Sequence, residues 1–279
     1  MSTGTKNIKT VSDRFKINNR TREMATFLFD KIIFGPVRSR RLGLSLGVNL
    51  LAPEGKLCNF NCIYCECGWN EDHPGGAFNG KEEVLRRLEE KLAEMKTEGE
   101  LPDVITFAGN GEPTMHPGFP AIIDGTIEIR DRMAPAARIA VLSNASMLGR
   151  ENVREALMKV DRNILKLDSA RDETVKLINQ PNNARPVAET IELMKLFDGR
   201  LIMQTLFLRG DYNGRTVDNT TPEELSAWLA AVREIGPSEV MIYSLDRDTP
   251  ASGLQKISHE ELEKIAEKVR ESGIAASVA

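Results

Sequence analysis

The chain has 279 residues, and its character shows first in what it has little of. No apolar run approaches the roughly 18 residues of a membrane-spanning helix, so no membrane partner is expected. The first fifteen residues are polar and hold no apolar core, which argues against a secretory leader. Cysteine is scarce, with four residues in all. Without an export signal these are not expected to form a disulfide framework, and the expected setting is cytoplasmic and reducing. Low-complexity tracts, solenoid-length repeats and a second domain are missing. What remains is a composition that is 41% hydrophobic and 28% charged, long enough to bury a full core without covalent staples.

Net charge is −4, but residues 1–46 carry +7 and the remainder −11. A basic arm suits nucleic acid or another anion. The acidic body would repel a polyanion, so a solvated arm whose arginines serve the site is preferred, and nucleic acid is not the favoured partner.

Residues 21–33 fit a short helix with Met24, Phe27, Leu28 and Ile32 on one face. Residues 1–33 then form a basic extension ahead of a core over 34–279. Gly35-Pro36 marks a turn. Residues 47–52 read as a first strand, and an amphipathic helix follows over 81–96. Apolar strands at 104–108, 138–142, 163–167, 201–208 and 239–245 alternate with helices at 119–133, 152–160, 173–178, 186–197, 222–235 and 260–271. Thr221 with Glu224, and Ser258 with Glu261, form capping boxes for the last two helices, and 274–278 adds a small final strand. Six strand–helix units with nearly continuous apolar strands predict an α/β protein with a parallel sheet, either a partial barrel or an open doubly wound sheet. In both, chemistry collects at the carboxyl ends of the strands.

The polar residues fall at those ends. Three of the four cysteines lie within eight residues, Cys58, Cys62 and Cys65, and Cys67 follows. Clustered thiolates suit a soft metal centre, and three on one loop can hold three irons of a four-iron cubane. A zinc site with Cys67 or His73 as fourth ligand is the competing reading. In Gly109-Asn110-Gly111-Glu112-Pro113 two glycines let the backbone approach a ligand, and Glu112 offers a carboxylate. The spacing matches neither a dinucleotide fingerprint nor a phosphate loop. Arg38, Arg40 and Arg41 predict an anionic substrate group near the pocket mouth. His116, near the glycine motif, is expected at a helix end.

The Cys58, Cys62, Cys65 spacing, with aromatic Tyr64 before the last cysteine, resembles the signature of the radical S-adenosylmethionine (radical SAM) superfamily. Gly109 to Pro113 resembles that family's glycine-rich motif for the methionine amine. The arginine turn at 36–43, Glu112-Pro113-Thr114, Ser143-Asn144, and Gln204-Thr205 through Arg209-Gly210 bring it nearest the branch containing the wyosine tRNA-modification enzymes. The resemblance covers residue 34 to the end and implies a partial (β/α)6 TIM-like barrel. It further implies a [4Fe–4S] cluster on Cys58, Cys62 and Cys65, and SAM on its open iron. Ser143, Asn144, Lys166, Asp168 and Gln204 would line the SAM ribose and carboxylate, with Tyr64 and the backbone near Tyr243 at the adenine. An external one-electron donor such as flavodoxin or ferredoxin would drive cleavage of SAM to a radical that takes hydrogen from a substrate. Cys67 is too little for a second cluster; it is a bystander, a radical relay or a hydrogen donor. A glycyl-radical-enzyme activase and tRNA base modification are alternatives on the same core. An iron–sulfur electron carrier or a zinc-binding module is the alternative from another class.

Overall fold

A computed structural model describes residues 27–39, 42–182 and 185–279. Its main sheet has eight strands: β1 (Ile33–Ser39), β2 (Gly43–Val48), β3 (Val104–Phe107), β4 (Arg138–Ser143), β5 (Arg162–Lys166), β6 (Ile202–Leu206), β9 (Glu239–Tyr243) and β11 (Ala275–Val278), adjacent in that order. All neighbours from β2 to β11 pair parallel, and β1 pairs antiparallel with β2 at one edge. A second sheet joins β10 (Leu254–Lys256), β7 (Leu208–Tyr212) and β8 (Arg215–Asp218). The helices are α1 (Lys81–Glu98), α2 (Phe119–Met133), α3 (Glu151–Leu157), α4 (Asp172–Ile178), α5 (Val187–Lys195), α6 (Pro222–Ile235) and α7 (His259–Arg270). Each of the six parallel strands β2–β6 and β9 leads to a helix before the next strand of the sheet. The architecture is a partial (β/α)6 barrel.

The strands' two-residue period sorts their side chains into two layers. Leu46 and Val48, Ile105 and Phe107, Ile139 and Val141, Leu165, Met203, Val240 and Ile242 point outward into one core shared with the helices. Complete burial of each contributes about 1.5–3 kcal/mol. Val104, Ala140, Ile164, Ile202 and Met241 point inward and fill the amino-terminal half of the barrel. Residues farther along the same inward rows, among them Asn144, Lys166 and Gln204, are polar. The interior is therefore apolar at the amino end and polar at the carboxyl end.

Several expectations change. The first strand, expected over 47–52, lies at Gly43–Val48 as β2, and the turn expected at Gly35-Pro36 falls within β1, at a break in its register with β2. The helix over 21–33 is absent where the chain is described: residues 27–30 have no regular structure and Ile33 opens β1, while residues 21–26 lie outside the described residues. The backbone N–H groups of Phe27 and Phe29 bond Glu66 O at 3.0 Å and Asn110 Oδ1 at 2.8 Å instead, which pulls this segment across the barrel end. The run over 201–208 splits into β6 and β7 around Phe207. Asn219, almost fully buried, fixes that break by accepting from Leu208 N and donating to Asp168 O and Leu206 O.

Both N-caps form, without the reciprocal half of the box among the described residues: Thr221 Oγ1 accepts from Glu224 N at 3.3 Å and Ser258 Oγ from Glu261 N at 3.2 Å, while the Glu224 carboxylate takes Ser169 and Thr174 instead. Thr221→Ala should lower stability by about 1 kcal/mol, read as a lower urea midpoint at unchanged slope.

Candidate active site at the carboxyl rim of the barrel

The cysteine loop and the glycine turn are joined by backbone. Leu57 N donates to Asn110 O at 2.9 Å and Glu112 N to Leu57 O at 3.1 Å. Gly111 has φ +147°, and a Cβ there would fall 1.9 Å from Leu57 O. The second glycine of the turn is thus required by the approach of the residue before Cys58. Gly109, at φ +153°, likewise leaves no room for a Cβ beside Asn49 Oδ1. Asn110 is buried, and its amide bonds Phe29 on both sides, N–H to Oδ1 and Nδ2 to carbonyl.

The three thiols differ in surroundings. Cys58 Sγ accepts from Phe60 N at 3.4 Å and Asn144 Nδ2 at 3.6 Å. Burial, then the Glu112 charge, holds its thiol well above the usual range. Cys62 Sγ accepts from Asn179 Nδ2 at 3.4 Å; burial pushes it up to about 11 although the Lys166 ammonium opposes the shift. Cys65 is drawn down, first by a hydrogen bond from Cys67 and then, against burial, by Lys56. Cys67 donates to Gly109 O at 3.6 Å, and Lys56, almost fully buried, donates to Gly68 O at 2.5 Å. The donor set is thiol sulfur with amide N–H groups aimed at it, the environment in which thiolate-held clusters are tuned. Among the described residues no three His, Cys, Asp or Glu side chains gather around one point as a single metal ion requires.

Glu112 lies beside them, 2% exposed. Its Oε1 accepts from Thr114 N at 3.0 Å, Thr114 Oγ1 and Ser143 Oγ at 2.8 Å, and its Oε2 from Asn144 N at 2.6 Å. Burial raises its pKa, and these hydrogen bonds oppose the rise. Pro113 starts the short 3-10 turn (Pro113–Met115) that brings Thr114 back to the carboxylate. After β4, Ala145 sits at φ +64°, a left-handed conformation costing roughly 1–2 kcal/mol for a residue with a Cβ. That turn points Asn144 Nδ2 at Cys58 Sγ and at Asn59 Oδ1 at 3.0 Å.

On the facing strands, Asp168 is 2% exposed. Its Oδ1 accepts from Leu206 N at 2.9 Å; its Oδ2 accepts from Asn179 Nδ2 at 2.7 Å and from the Tyr64 hydroxyl. Burial and then the Asp168 charge raise the Tyr64 pKa, so the phenol remains a donor. Lys166 Nζ lies 3.2 Å from the Tyr243 hydroxyl, 3.6 Å from Asp168 Oδ2 and 5.1 Å from the centre of the Tyr64 ring. Burial alone would lower its pKa, but Asp168 and Tyr243 outweigh burial and hold the ammonium charged. Tyr64 is thereby fixed between the cysteine loop and strands β5 and β9.

Every residue singled out from the sequence for this site lies at the carboxyl rim or in the barrel interior. Asn144, Lys166 and Asp168 line a small cavity and Gln204 a larger one, while Ser143 bonds Glu112. Arg38 is elsewhere. β1 runs antiparallel, so Arg38 pairs in register with Leu44 at the amino end of β2, away from the cysteines, and its guanidinium meets Glu100 at 3.0 Å. Arg38 is therefore not at the pocket mouth, and Arg40 and Arg41 lie outside the described residues. His116 links Asn79 O and Gly118 N ahead of α2. Sequence reasoning missed Asn179, Lys56 and Ala145. Asn179 at the end of α4 carries no local signal; Lys56 could have been marked by its place two residues before Cys58.

The family profile described as Radical SAM superfamily matches residues 55–215. The chain belongs to the radical SAM superfamily. It is 32% identical over 240 residues to a protein of Brachyspira hyodysenteriae named GTPase Obg, 84% of this chain but 33% of that one. It is 33% identical over 183 residues to a UPF0026 protein of Methanocaldococcus jannaschii, covering 63% of this chain and 54% of that one. A UPF0026 protein of Synechocystis is 30% identical over 232 residues, 80% of this chain and 78% of that one. The chain thus spans only a third to about half of the first two relatives. Among solved structures, a radical SAM methyltransferase from Sphaerobacter thermophilus superposes with TM-score 0.62 at 15% identity, over 84% of this chain and 65% of that one. Streptococcus suis SuiB bound to S-adenosylmethionine gives 0.58 at 15% identity, over 81% and 49%. Archaeal TYW1 gives 0.50 at 12%, over 82% and 72%. At such identities these likenesses show the fold alone. The family uses a [4Fe–4S] cluster and SAM, and its members are enzymes.

Gly111→Ala should force Leu57 and the glycine turn apart. The expected result is a protein that keeps its far-ultraviolet dichroism but holds several-fold less iron after anaerobic reconstitution than the wild type; equal iron would refute the coupling.

Proposed function

We propose that this chain binds a [4Fe–4S] cluster through Cys58, Cys62 and Cys65 and uses it to cleave SAM, generating a hydrogen-abstracting species inside the barrel. The observation that carries this is the backbone joint between Leu57 and Gly111, which makes the thiol loop and the glycine turn one unit at the carboxyl rim. When bound, the cluster supplies the electron that breaks the sulfonium C–S bond of SAM; the radical chemistry is the cofactor's own.

The chain's part is positioning. Asn144 and Asn179 donate to two of the ligand sulfurs. The carbonyls of the glycine turn, and Glu112 Oε2, which accepts from one donor among the described residues, would take the ammonium of the methionine moiety. Ser143 and Asn144 serve by holding Glu112, and Asp168 by holding Tyr64. Lys166, charged between two tyrosine rings, would meet the carboxylate or ribose, and Tyr64 and Tyr243 would flank the adenine. The barrel walls exclude water and oxygen from the reacting centre. The reductant is an external one-electron donor of the flavodoxin or ferredoxin kind, and the setting is the cytoplasm. No helix among the described residues is long and apolar enough to cross a membrane.

The test is anaerobic reconstitution with iron and sulfide, then dithionite and SAM, with 5′-deoxyadenosine quantified. Wild type and Cys67→Ala are expected to form it, and Cys58→Ala, Cys62→Ala and Cys65→Ala to fall at least a hundred-fold. Stoichiometric zinc without SAM cleavage in the wild type would refute the proposal.

A further inference from the structure

Among the described residues, two spaces open within the barrel. The small one adjoins Asn144, Lys166, Asp168 and Asn179. The larger, about 570 Å³, lies lower and toward β1 and β2, within the size range of small-molecule sites. One wall is aromatic. Phe27 meets Phe29 edge to face at 4.9 Å between ring centres, and Phe29 stacks on Phe34 at 3.8 Å. Gly47 admits this wall, since a Cβ there would fall 2.1 Å from Phe34 Cζ. The opposite side is Leu142, Ile164 and Met241.

Polar groups in this chamber are few. Ser45 and Thr106 hydroxyls bond each other at 2.8 Å. Arg247, at the mouth, pairs with Glu66 at 2.7 Å. Gln204 is the exception. Its residue is 7% exposed, it lines the larger chamber, and among the described residues its side-chain amide has no hydrogen-bond partner. The amide is thus free to bond a ligand or water that enters the chamber. It presents one acceptor and one donor side by side, at the level of Lys166 and Met241 across the sheet.

We propose that this chamber is the substrate's subsite, and that the substrate carries a flat, uncharged ring with an adjacent N–H donor and carbonyl acceptor. The ring, an amide- or lactam-edged heteroaromatic, packs against the Phe27–Phe29–Phe34 wall. The Gln204 amide reads its edge with two hydrogen bonds. This rests on the proposed function and moves Gln204 from the cofactor to the substrate. The uncharged ring departs from the anionic substrate expected from the arginine turn: among the described residues Arg247 is the one charged side chain on this lining and is paired with Glu66, while Arg38 meets Glu100.

The test uses 2-quinolone as the probe and N-methyl-2-quinolone, which lacks the donor, as its control. Both are titrated calorimetrically into the anaerobically reconstituted protein with saturating SAM. One saturable 2-quinolone site is expected, with the N-methyl compound about ten-fold weaker or more. Gln204→Leu should weaken 2-quinolone about ten-fold and erase the difference between the two. If that variant does not fold, the wild-type comparison still decides. Equal binding of the two probes, no binding, or one-for-one displacement of 2-quinolone by SAM would overturn the subsite. Because 5′-deoxyadenosine is assayed separately, SAM cleavage without probe discrimination sinks the subsite alone. Probe discrimination without SAM binding or cleavage sustains the subsite and sinks the radical reading.

Discussion

The site depends on one close approach, the backbone of Leu57 against Gly111. A loop with three thiols is not by itself rigid: Cys58 to Cys65 contains no helix or strand. Where it enters, two hydrogen bonds between Leu57 and the turn after β3 fix it, and farther along Asn61 N and Ile63 N donate to the end of α4 at Asn179 O and Ile178 O. Only a residue without a Cβ allows that contact, since any other would meet Leu57 O inside van der Waals distance. The joint has a second consequence. The same turn carries Glu112, so the carboxylate that organises Ser143 and Asn144 is placed by the backbone that places the cysteines.

From that joint the polar groups of the rim connect into two networks. Glu112 gathers Thr114, Ser143 and Asn144, and through Asn144 reaches Cys58. Asp168 gathers Tyr64, Asn179 and the Leu206 N–H, and through Asn179 reaches Cys62. Each network begins at a buried carboxylate and ends at a cysteine sulfur. A buried carboxylate is costly unless it is satisfied, and here satisfying it also orients the amides that face the sulfurs. Such donors are in place before any ligand arrives, so little reorganisation is needed on binding. Lys56 and Lys166 put positive charge near Cys65 and Cys62, which offsets the charge that thiolates bring into a buried loop.

Much of this was legible in the sequence. Near-continuous apolar runs between amphipathic segments identified β3 to β6 and β9, because strands covered on both faces need such runs, whereas the first strand was placed four residues too late. The three close cysteines and the two glycines before Glu112 marked the rim. The sequence was silent where a partner lies far along the chain. Asn179 is 117 residues from Cys62, and Asn219 is 51 from Asp168; neither stands in a local pattern. Arg38 was misplaced because direction is invisible to composition: β1 runs antiparallel and carries it to the amino end of β2. The helix expected over 21–33 failed where described because the spacing of Phe27, Leu28 and Ile32 imitates a helical face. Its backbone partners, Glu66 O and Asn110, lie tens of residues away.

The segment from Phe27 to Ile32 then explains how a six-strand barrel closes. A partial barrel leaves its first strand with an unpaired edge, which sheets must cover. Here β1 covers it, and the chain before β1 is tied to the cysteine loop at Glu66, the glycine turn at Asn110 and β2's end at Asn49. The same tie sets Phe29 against Phe34 and so builds the aromatic wall of the chamber. Closure of the barrel and shape of the interior thus share one cause. A change in the bond between Asn110 and Phe29 would act on the thiol loop above and the chamber below at once, because Asn110 belongs to the turn that Leu57 holds.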